Sequence, residues 1–343
     1  MAKRKTSDIF LDMLISQNGK ALSGEEVAAR LGISRVSVWK AAQKLRAEGY
    51  GIDGGQNKGY VLNPSSDILN ASVIEKNLSV FSKSLCGSKI EVFKTIDSTN
   101  TEAKRRLTSF QDSKALHGTV LFAEHQTQGH GRFSRSFYSP KEAGLYFSLI
   151  FCPLLPQQKE DCKNIPPDYS LYTAISAAVI CRCLKKAGFE PQIKWVNDIY
   201  LNGKKICGIL SEGIIDMETS SVQAVIIGIG INVKGSAFPE DLKNKAGSLF
   251  EKVPPHFSRN FLAASVLSCL IEALYGFYPQ TELMEEYRSL SMLDGKRVRV
   301  LPFHGKTYEA EVLGINGSGH LIIKTEEEEK KELISGEVSL ELE

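Results

Sequence analysis

A two-residue turn, Asn202-Gly203, limits the folds open to this chain of 343 residues more than any other feature. Apolar residues dominate positions 193–201 before it and 204–211 after it, and Asn-Gly between two such runs is the strongest short signal for a tight antiparallel hairpin. Helix-spaced stretches lie at 99–107 and at 170–187. Hairpin strands mixed with helices predict an α+β domain whose mixed sheet is covered by helices.

The same patterns continue to either side of the hairpin and set the domain boundaries. Further strands are predicted at 90–96, 119–124, 145–151 and 222–233, and two helices within 258–290. The chain is longer than one core usually supports, so two or three domains are expected. We predict domains at 1–64, 68–290 and 294–343.

The last of these domains changes to short strands. They are predicted at 297–301, 307–315, 320–324 and 331–334, with turns at His304-Gly305 and Asn316-Gly317. Short strands separated by glycine turns over about 50 residues are typical of a small β-barrel.

The first domain has the pattern of a winged helix-turn-helix. Helix spacing occurs at 7–17, from Ser23 to Leu31, and at 35–48, with Gly32 in the short turn before the third helix. Ser23 is a capping residue. Residues 50–62 follow as two short strands around a Gly/Asn turn, which predicts a wing beside the helices.

The outward face of the third helix is a candidate DNA-reading surface. Residues 1–64 contain ten Lys and Arg against six Asp and Glu, a local net charge of +4 in a protein of net charge +2. A helix with this charge could enter a major groove, although a small helical domain for protein contacts is the alternative. The residues predicted to face outward are Ser34 as N-cap, Arg35, Ser37, Trp39, Lys40, Gln43 and Lys44.

A loop between two predicted strands, 124–140, carries groups suited to an anion. Gly129 and Gly131 let the backbone approach a ligand closely, and their N–H groups can form a concave nest. Arg132 and Arg135 add positive charge with forked donors. The loop therefore predicts a site for phosphate or carboxylate, with an incidental surface loop as the alternative.

Four motifs, taken in order, are identified as those of a known family. They are Asp97-Ser-Thr-Asn100; Gln126 with Gly129-His-Gly-Arg132-Phe-Ser-Arg135; Lys194-Trp-Val-Asn-Asp198 leading to Lys205 and Gly208; and Gly228-Ile-Gly-Ile-Asn-Val233. The chain resembles, over essentially its whole length, the bifunctional biotin protein ligases that also repress biotin genes. The resemblance implies a winged helix-turn-helix, a ligase domain like that of class II aminoacyl-tRNA synthetases, and an SH3-like barrel.

The resemblance also implies a reaction and partners. Such proteins use ATP, with Mg²⁺, to convert biotin to biotinyl-5′-adenylate, and then transfer biotin to a lysine of a biotin carboxyl carrier protein. With adenylate bound they repress transcription, which implies operator DNA and a homodimer as partners. Bringing a carboxylate onto a phosphate places two anions together, so such a site needs fixed cations and N–H donors.

The resemblance assigns roles residue by residue. Lys205 and Arg132 are implied as the catalytic cations, Lys205 on the biotin carboxylate and α-phosphate and Arg132 retaining the adenylate. The residues implied to bind biotin and its adenylate are Ser98, Thr99, Asn100, Gln126, Gly129, His130, Gly131, Arg132, Lys205 and Gly208. The nucleotide side is assigned to Lys194, Trp195, Asn197, Asp198, Gly228, Gly230 and Asn232.

Several of these residues have a second explanation. Thr99 and Glu102 match a capping box at a helix start. Asp198 could hold Mg²⁺ or be a surface carboxylate. Gly228 and Gly230 alternate along a strand and so bare one face, which suits either adenine lying on the sheet or close helix packing.

Three positions depart from the family pattern, which most often has Arg at His130, Gly at Ser134 and Trp at Phe137. A histidine is mostly neutral at pH 7, so its contact with phosphate would be weaker or pH-dependent. The departures at His130 and Phe137 leave a transcription regulator that only senses biotin as an alternative. Lipoate ligases resemble the same catalytic domain, so a lipoate-type ligase is a further alternative. The attached DNA-binding domain favours biotin over lipoate as the substrate.

Composition and cysteine usage predict the cellular compartment of the protein. The chain contains no apolar run near the roughly 20 residues that span a bilayer, and its first residues lack an apolar signal core. Its seven cysteines are scattered and include no C-x-x-C pair, which is typical of reduced thiols. We predict a cytoplasmic protein without membrane contacts.

Overall fold

The computed structural model describes residues 5–17, 19–47, 50–55, 58–63, 67–81, 89–109, 113–153, 169–215, 221–235, 238–254, 257–302, 306–334 and 336–340. The His304-Gly305 turn and the boundary residues 64–66 lie outside them. Cys86 and Cys162 do so as well. The other five cysteines are free thiols, as predicted.

The N-terminal part is three helices followed by a two-stranded wing. The elements are α1 (Thr6–Ser16), α2 (Gly24–Leu31), α3 (Arg35–Ala47), β1 (Ile52–Gly55) and β2 (Gly59–Leu62). Ser23 caps α2 by accepting the Glu25 N–H at 3.2 Å, and Gly32 ends this helix at a φ of 62°. The predicted helices and wing are confirmed.

The winged part has a hydrophobic core of its own, in which the Phe10 and Tyr60 rings meet edge to face at 5.4 Å. Arg46, at the end of α3, donates to the carbonyls of Ile52 at 2.8 Å and Gly54 at 2.6 Å. The wing is therefore fixed to the third helix by backbone acceptors as well as by apolar packing.

The central part is a seven-stranded sheet in the order β3-β4-β5-β9-β8-β7-β6. Among the strands that the structure describes, only β3 and β4 pair in parallel, so the sheet is mixed, as predicted. Its strands are β3 (Ile90–Phe93), β4 (Val120–Ala123), β5 (Gly144–Phe151), β6 (Gln192–Lys194), β7 (Asp198–Leu201), β8 (Lys204–Ile215) and β9 (Val222–Asn232). Its helices are α4 (Ala71–Phe81), α5 (Thr99–Ser109), α6 (Leu171–Lys186), α7 (Arg259–Leu274) and α8 (Gln280–Ser289).

Alternation along β9 separates the two faces of the sheet. Ile227, Ile229 and Ile231 join the large core that contains α6 and α7. Ala224 and Ile226 face the opposite way, into a smaller core beneath α5. Because side chains alternate along a strand, the two glycines that follow lie on the α5 face.

The predicted hairpin forms at Asn202-Gly203, where both residues have positive φ, 51° and 74°. The prediction of one continuous strand over 193–201 is wrong. The chain turns back at 195–197, so that β6 and β7 are antiparallel neighbours with Lys194 opposite Asp198. This fold-back brings the Lys-Trp-Val-Asn-Asp motif into a compact turn beside β8.

The C-terminal part is a five-stranded antiparallel sheet in the order β13-β12-β11-β10-β14. Four of its strands were predicted and the last was not; they are β10 (Arg297–Leu301), β11 (Tyr308–Ile315), β12 (Leu321–Thr325), β13 (Lys330–Leu333) and β14 (Glu337–Leu340). Its apolar side chains share the core of the central part, and Trp195 donates from Nε1 to the Gly319 carbonyl at 2.9 Å.

A buried ion cluster anchors the chain that leaves the winged part. The fully buried Arg259 at the start of α7 pairs with Asp67 at 2.8 Å and with Glu124 at 2.9 Å. Glu124 also accepts the Leu69 N–H at 2.5 Å. Since Glu124 follows β4 directly, the cluster fixes the origin of the loop at 124–140.

We expect Arg259→Ala to lower the free energy of unfolding by about 3–5 kcal/mol, because Glu124 would remain buried without a cation. Urea denaturation measures the change. Arg105→Ala is the matched control, since Arg105 is half exposed where it pairs with Asp97 and Glu102, and its loss should cost at most about 1 kcal/mol. Equal losses in the two variants would contradict the role of burial.

Candidate functional site

A cavity of about 800 Å³ opens on the α5 face of the sheet, where α5 stops covering it. Its wall contains nearly all of the predicted ligase residues, brought together from the four separate motifs. They are Ser98, Thr99, Asn100, Gln126, His130, Gly131, Arg132, Lys194, Trp195, Asn197, Asp198, Lys205, Gly208, Gly228 and Gly230.

Lys205 is the cation at the hairpin end of the cavity. Its Nζ lies 2.6 Å from Asp198 Oδ1, and both side chains are mostly buried. The backbone of Lys205 is fixed to the segment 245–247, because its N–H donates to the Lys245 carbonyl and its carbonyl accepts the Gly247 N–H. Lys204, the preceding residue, is exposed and, because side chains alternate along a strand, points to the other side. Lys205 is therefore a fixed cation next to a carboxylate.

Tyr200 lies on the same wall and stays a neutral phenol. Burial, with repulsion from Asp198, raises the pKa of Tyr200 to about 12. Its hydroxyl can therefore donate a hydrogen bond at neutral pH.

The loop at 124–140 forms a small hairpin over the cavity. Gly131 N–H donates to the Arg135 carbonyl at 2.7 Å, and Phe137 N–H donates to the Gly129 carbonyl at 2.8 Å. Phe133 and Ser134 at its tip have φ values of 56° and 58°. A non-glycine residue in this left-handed region costs about 1–2 kcal/mol, so the tip is strained.

We expect Ser134→Gly to relieve part of this strain and to make the loop hairpin more populated. Amide hydrogen exchange at Gly131 and Phe137 should slow by about 3- to 10-fold, because these N–H groups close the hairpin. Ser136→Gly is the control in the same loop, outside the positive-φ tip. Exchange that is unchanged or faster in Ser134→Gly would contradict this prediction.

Arg132 is directed from this loop toward the 195–197 turn. Its Nη1 lies 3.5 Å from Asn197 Oδ1, and its guanidinium packs 4.8 Å from the centre of the Phe133 ring. Asn197 is fixed in turn, since its side chain donates to the Ile209 carbonyl at 2.9 Å. Arg132 thus connects the loop to the 195–197 turn across the cavity.

The start of α5 supplies a buried polar wall. Thr99 N–H donates to Gln126 Oε1 at 2.8 Å, which orients the amide so that Gln126 Nε2 donates to Ser139 Oγ at 2.9 Å. Ser148 Oγ, on β5, lies 2.7 Å from Thr99 Oγ1 and 2.5 Å from Asn100 Oδ1. Sequence reasoning missed Ser148, which has no motif around it.

The predicted capping box of Thr99 and Glu102 is wrong. The cap is Ser98, whose carbonyl accepts the Glu102 N–H at 3.0 Å and whose Oγ lies 3.5 Å from the Thr101 N–H. Glu102 instead binds Arg105 at 2.8 Å and Arg106 at 3.0 Å. Two arginines within one helical turn compete successfully for that carboxylate, and the Thr99 hydroxyl remains in the cavity wall.

Asp97, just before this helix, is a carboxylate with firm partners. Burial acts to raise the pKa of Asp97, but hydrogen bonds from the Ser98 N–H and the Arg105 guanidinium outweigh it and lower the pKa below its usual value. Asp97 therefore stays ionised and favours the N-terminal end of α5.

The bare glycine face is occupied by protein. A Cβ at Gly228 would overlap the Asn100 amide, so close packing of α5 requires glycine here. The predicted contact with adenine stays a prediction. A Cβ at Gly230 would overlap the Phe137 ring, which also lies 3.2 Å from the Cβ position of Gly208. Gly208 and Gly230 are direct partners in β8 and β9, and together they form the flat floor beneath that ring.

Two predicted residues lie behind the cavity wall. A Cβ at Gly129 would lie 2.5 Å from the Phe137 carbonyl, so glycine is needed there for loop packing. Asn232 donates to the Gly247 carbonyl at 2.9 Å and so holds the segment 242–247 in place. That segment adds Asn244 and Lys245 to the wall, and neither was predicted.

The described residues of the cavity wall offer few ligands for a Mg²⁺ ion. No group of three or more His, Cys, Asp or Glu side chains suited to a metal occurs among the described residues. Asp198 offers one carboxylate, beside Lys205. One carboxylate together with substrate phosphates and water is a usual donor set for Mg²⁺, so Asp198 fits an ion that enters with a nucleotide.

Two residues of the predicted DNA-reading face form hydrogen bonds within the protein. Ser34 caps α3 by accepting the Ser37 N–H at 3.2 Å, and Lys44 Nζ lies 3.0 Å from Ser7 Oγ on α1. Arg35, Lys40 and Gln43 are exposed on this face. Val36 and Trp39 are exposed by 61% and 47%, so this face also offers apolar surface to a groove.

Comparison with known proteins identifies the class. The description "Biotin/lipoate A/B protein ligase family" matches residues 92–232, "HTH domain" matches 10–61, and "Biotin protein ligase C terminal domain" matches 295–341. A helix-turn-helix, a ligase domain with this cavity and a small antiparallel sheet define a protein ligase that carries a DNA-binding domain.

Individual relatives show which members of this family the chain resembles. The bifunctional ligase/repressor BirA of Bacillus subtilis is 34% identical over 95% of this chain and 96% of its own length, and BirA of Escherichia coli is 31% identical over 75% and 73%. The biotin protein ligase of Aquifex aeolicus, solved in complex with biotin and ATP, superposes with a TM-score of 0.57 at 29% identity, over 74% of this chain and 98% of that one. The chain belongs to the biotin protein ligase family of bifunctional ligase/repressors.

Proposed function

We propose that this protein joins biotin to ATP, forming biotinyl-5′-adenylate and pyrophosphate, and then transfers biotin to a lysine of a biotin carboxyl carrier protein. We propose further that the adenylate-bound form is a dimer that binds operator DNA and represses biotin genes. The names of the relatives, ligase and repressor in one chain, support both activities. A cytoplasmic location belongs to the same proposal and agrees with the free thiols.

The observation that carries the proposal is the pattern of donors and acceptors at the start of α5. Gln126 is oriented by the Thr99 N–H, and among the described residues its hydrogen bonds use only one of its two amide N–H donors. Ser98 and Thr99, whose side chains carry hydroxyl groups, line the same cavity. A cyclic urea offers one C=O and two N–H groups, and this wall complements them. The dithiolane ring of lipoate offers neither, which favours biotin.

The opposite end of the cavity suits the anions of the reaction. The biotin carboxylate oxygen attacks the α-phosphorus of ATP and pyrophosphate leaves, so negative charge gathers at one point. Lys205 and Arg132 reach this end from β8 and from the loop hairpin, and we assign them to the carboxylate and phosphate. When Lys205 moves to the substrates, Asp198 becomes available for Mg²⁺, whose contribution would be to neutralise pyrophosphate.

The C-terminal sheet belongs to the same site. Gly336 and Val338, beside and within β14, lie in the cavity wall, and Trp195 ties the sheet to the 195–197 turn. We propose that the carrier protein's lysine approaches where these parts meet. Its amine would attack the adenylate carbonyl carbon, and AMP would leave.

The test compares biotin with lipoate in acid-dependent ATP/pyrophosphate exchange by the whole chain. Exchange with biotin and none with lipoate is expected, followed by transfer of labelled biotin to a carrier domain. Exchange with lipoate alone would correct the substrate. Biotin binding without exchange would favour a regulator that only senses biotin.

The repressor activity has a separate test. Selection from a random DNA library, with and without biotin and ATP, should enrich a palindrome only when adenylate can form, because two winged parts related by a twofold axis read inverted half-sites. Sedimentation under both conditions should show the dimer. Enrichment independent of biotin would contradict control by the adenylate.

A further inference from the structure

We propose that Ser148 and Glu212 are positioning residues, which fix the direction of the Thr99 hydroxyl so that its oxygen accepts from a urea N–H. This inference rests on the proposed use of biotin. It concerns a chain of hydrogen bonds, the hydroxyl relay, that runs from Lys104 through Glu212, Asn100 and Ser148 to Thr99. Ser148 and Glu212 belong to no motif recognised in the sequence.

The relay begins at an ion pair beside the cavity. Lys104 Nζ lies 2.7 Å from Glu212 Oε1, and the other oxygen, Oε2, accepts the Asn100 Nδ2 hydrogen at 2.9 Å. A carboxylate beside an ammonium can only accept, so the Asn100 amide must present its nitrogen to Glu212. Its oxygen is then turned toward Ser148.

The number of hydroxyl hydrogens determines the direction of the next two hydrogen bonds. Ser148 has one hydroxyl hydrogen and two close oxygens, Asn100 Oδ1 at 2.5 Å and Thr99 Oγ1 at 2.7 Å. The Asn100 oxygen can only accept, so it takes the hydrogen of Ser148. The short contact with Thr99 is then a hydrogen bond only if Thr99 donates. Thr99 Oγ1 also lies 3.2 Å from Gln126 Oε1, which already accepts the Thr99 N–H, so the shorter contact with Ser148, at 2.7 Å, takes the hydrogen. With either acceptor the hydrogen of Thr99 is used within the protein, and its lone pairs remain for the cavity.

Burial and packing enforce this geometry. Ser148 is fully buried, and Thr99 and Asn100 are exposed by 3% and 5%. The Asn100 amide lies over Gly228, where no side chain would fit. A buried hydroxyl or amide left without its partner is costly, so the links stay together. Reversing the direction of these hydrogen bonds would require the Asn100 oxygen to face the Glu212 carboxylate.

Glu212→Ala tests the relay. The Asn100 amide would lose the acceptor that sets its direction, and the Thr99 hydrogen could then turn into the cavity. We expect the Kd for biotin, measured by calorimetry, to rise about tenfold. In pyrophosphate exchange the KM for biotin should rise equally while kcat stays within about twofold, because the relay touches only the ring end of the ligand.

Two variants separate positioning from support of the fold. Glu212→Gln retains an acceptor oxygen for Asn100 and should recover most of the affinity. Glu102→Ala removes a carboxylate from α5, the helix that carries Thr99 and Asn100, where it is bound to Arg105 and Arg106 rather than to the relay, and should leave the Kd within about twofold. Equal loss in Glu212→Ala and Glu102→Ala would overturn the proposal.

A double-variant cycle tests whether the links act in series. Ser148→Ala should also weaken biotin binding, and Ser148→Ala with Glu212→Ala should be no weaker than Ser148→Ala alone. Losses that multiply would overturn the relay. Unchanged biotin binding in Glu212→Ala would do the same while leaving the proposed function intact. A whole chain that binds no biotin would instead overturn the proposed function, and the relay with it.

Discussion

Lys205→Ala should reduce biotin-dependent ATP/pyrophosphate exchange by about 10²- to 10³-fold or more, the usual cost of losing one fixed group that stabilises developing charge. Lys205 is the cation at the hairpin end of the cavity, held by two backbone hydrogen bonds to the segment 245–247 and by Asp198 at 2.6 Å. Its loss leaves two substrate anions and one protein carboxylate facing each other. Exchange rates at saturating biotin and ATP measure the effect.

Lys204→Ala is the matched control for this variant. Lys204 is the preceding residue on β8, carries the same charge, and is exposed on the other side of the strand. Its replacement should change exchange by less than about twofold, since surface charges in water act weakly at a distance. Full activity of Lys205→Ala, or an equal loss in Lys204→Ala, would remove the role assigned to Lys205.

The elements predicted from the sequence are those fixed by local chemistry. Asn202-Gly203 takes two positive φ values that few other residue pairs accept, so the turn and the strands beside it could be placed. Ser23 and Gly32 marked the ends of a helix in the same way. The turn at 195–197 contains Asn197 but no glycine and no residue with a positive φ. Its apolar flanks therefore looked like one strand, and only the pairing between Lys194 and Asp198 separates them.

The candidate site was predictable where residues occur in motifs and not where single residues act through tertiary contacts. Gly228 and Gly230 showed which face of β9 is bare, but only packing shows that Asn100 and Phe137 occupy it. Ser148 is a lone polar residue in an apolar strand, and Lys245 is one of several polar residues in a segment without a motif. Their importance arises from contacts with residues far along the chain, which no local pattern records.

Arg132→Gly should leave adenylate synthesis measurable but shorten the time for which the protein retains the adenylate. Arg132 lies in the loop hairpin, reaches Asn197 across the cavity, and offers a forked donor to a phosphate. A charged hydrogen bond of about 1.5–3 kcal/mol corresponds to roughly 10- to 100-fold faster release. Filtration of protein preloaded with labelled biotin and ATP gives the release rate, and labelling of a bystander protein reports the escaped adenylate.

Two further variants identify which property of Arg132 retains the adenylate. Arg132→Lys keeps the charge without the fork, so intermediate retention would indicate that both contribute. Arg135→Gly removes a second arginine from the same loop. Arg135 is exposed where it lines the cavity, whereas Arg132 is half-buried and directed at the 195–197 turn, so retention should change by less than about threefold. Unchanged retention in Arg132→Gly would show that Arg132 does not hold the adenylate. An equal loss in Arg135→Gly would show that the loop holds it through the charge of both arginines and not through Arg132 in particular.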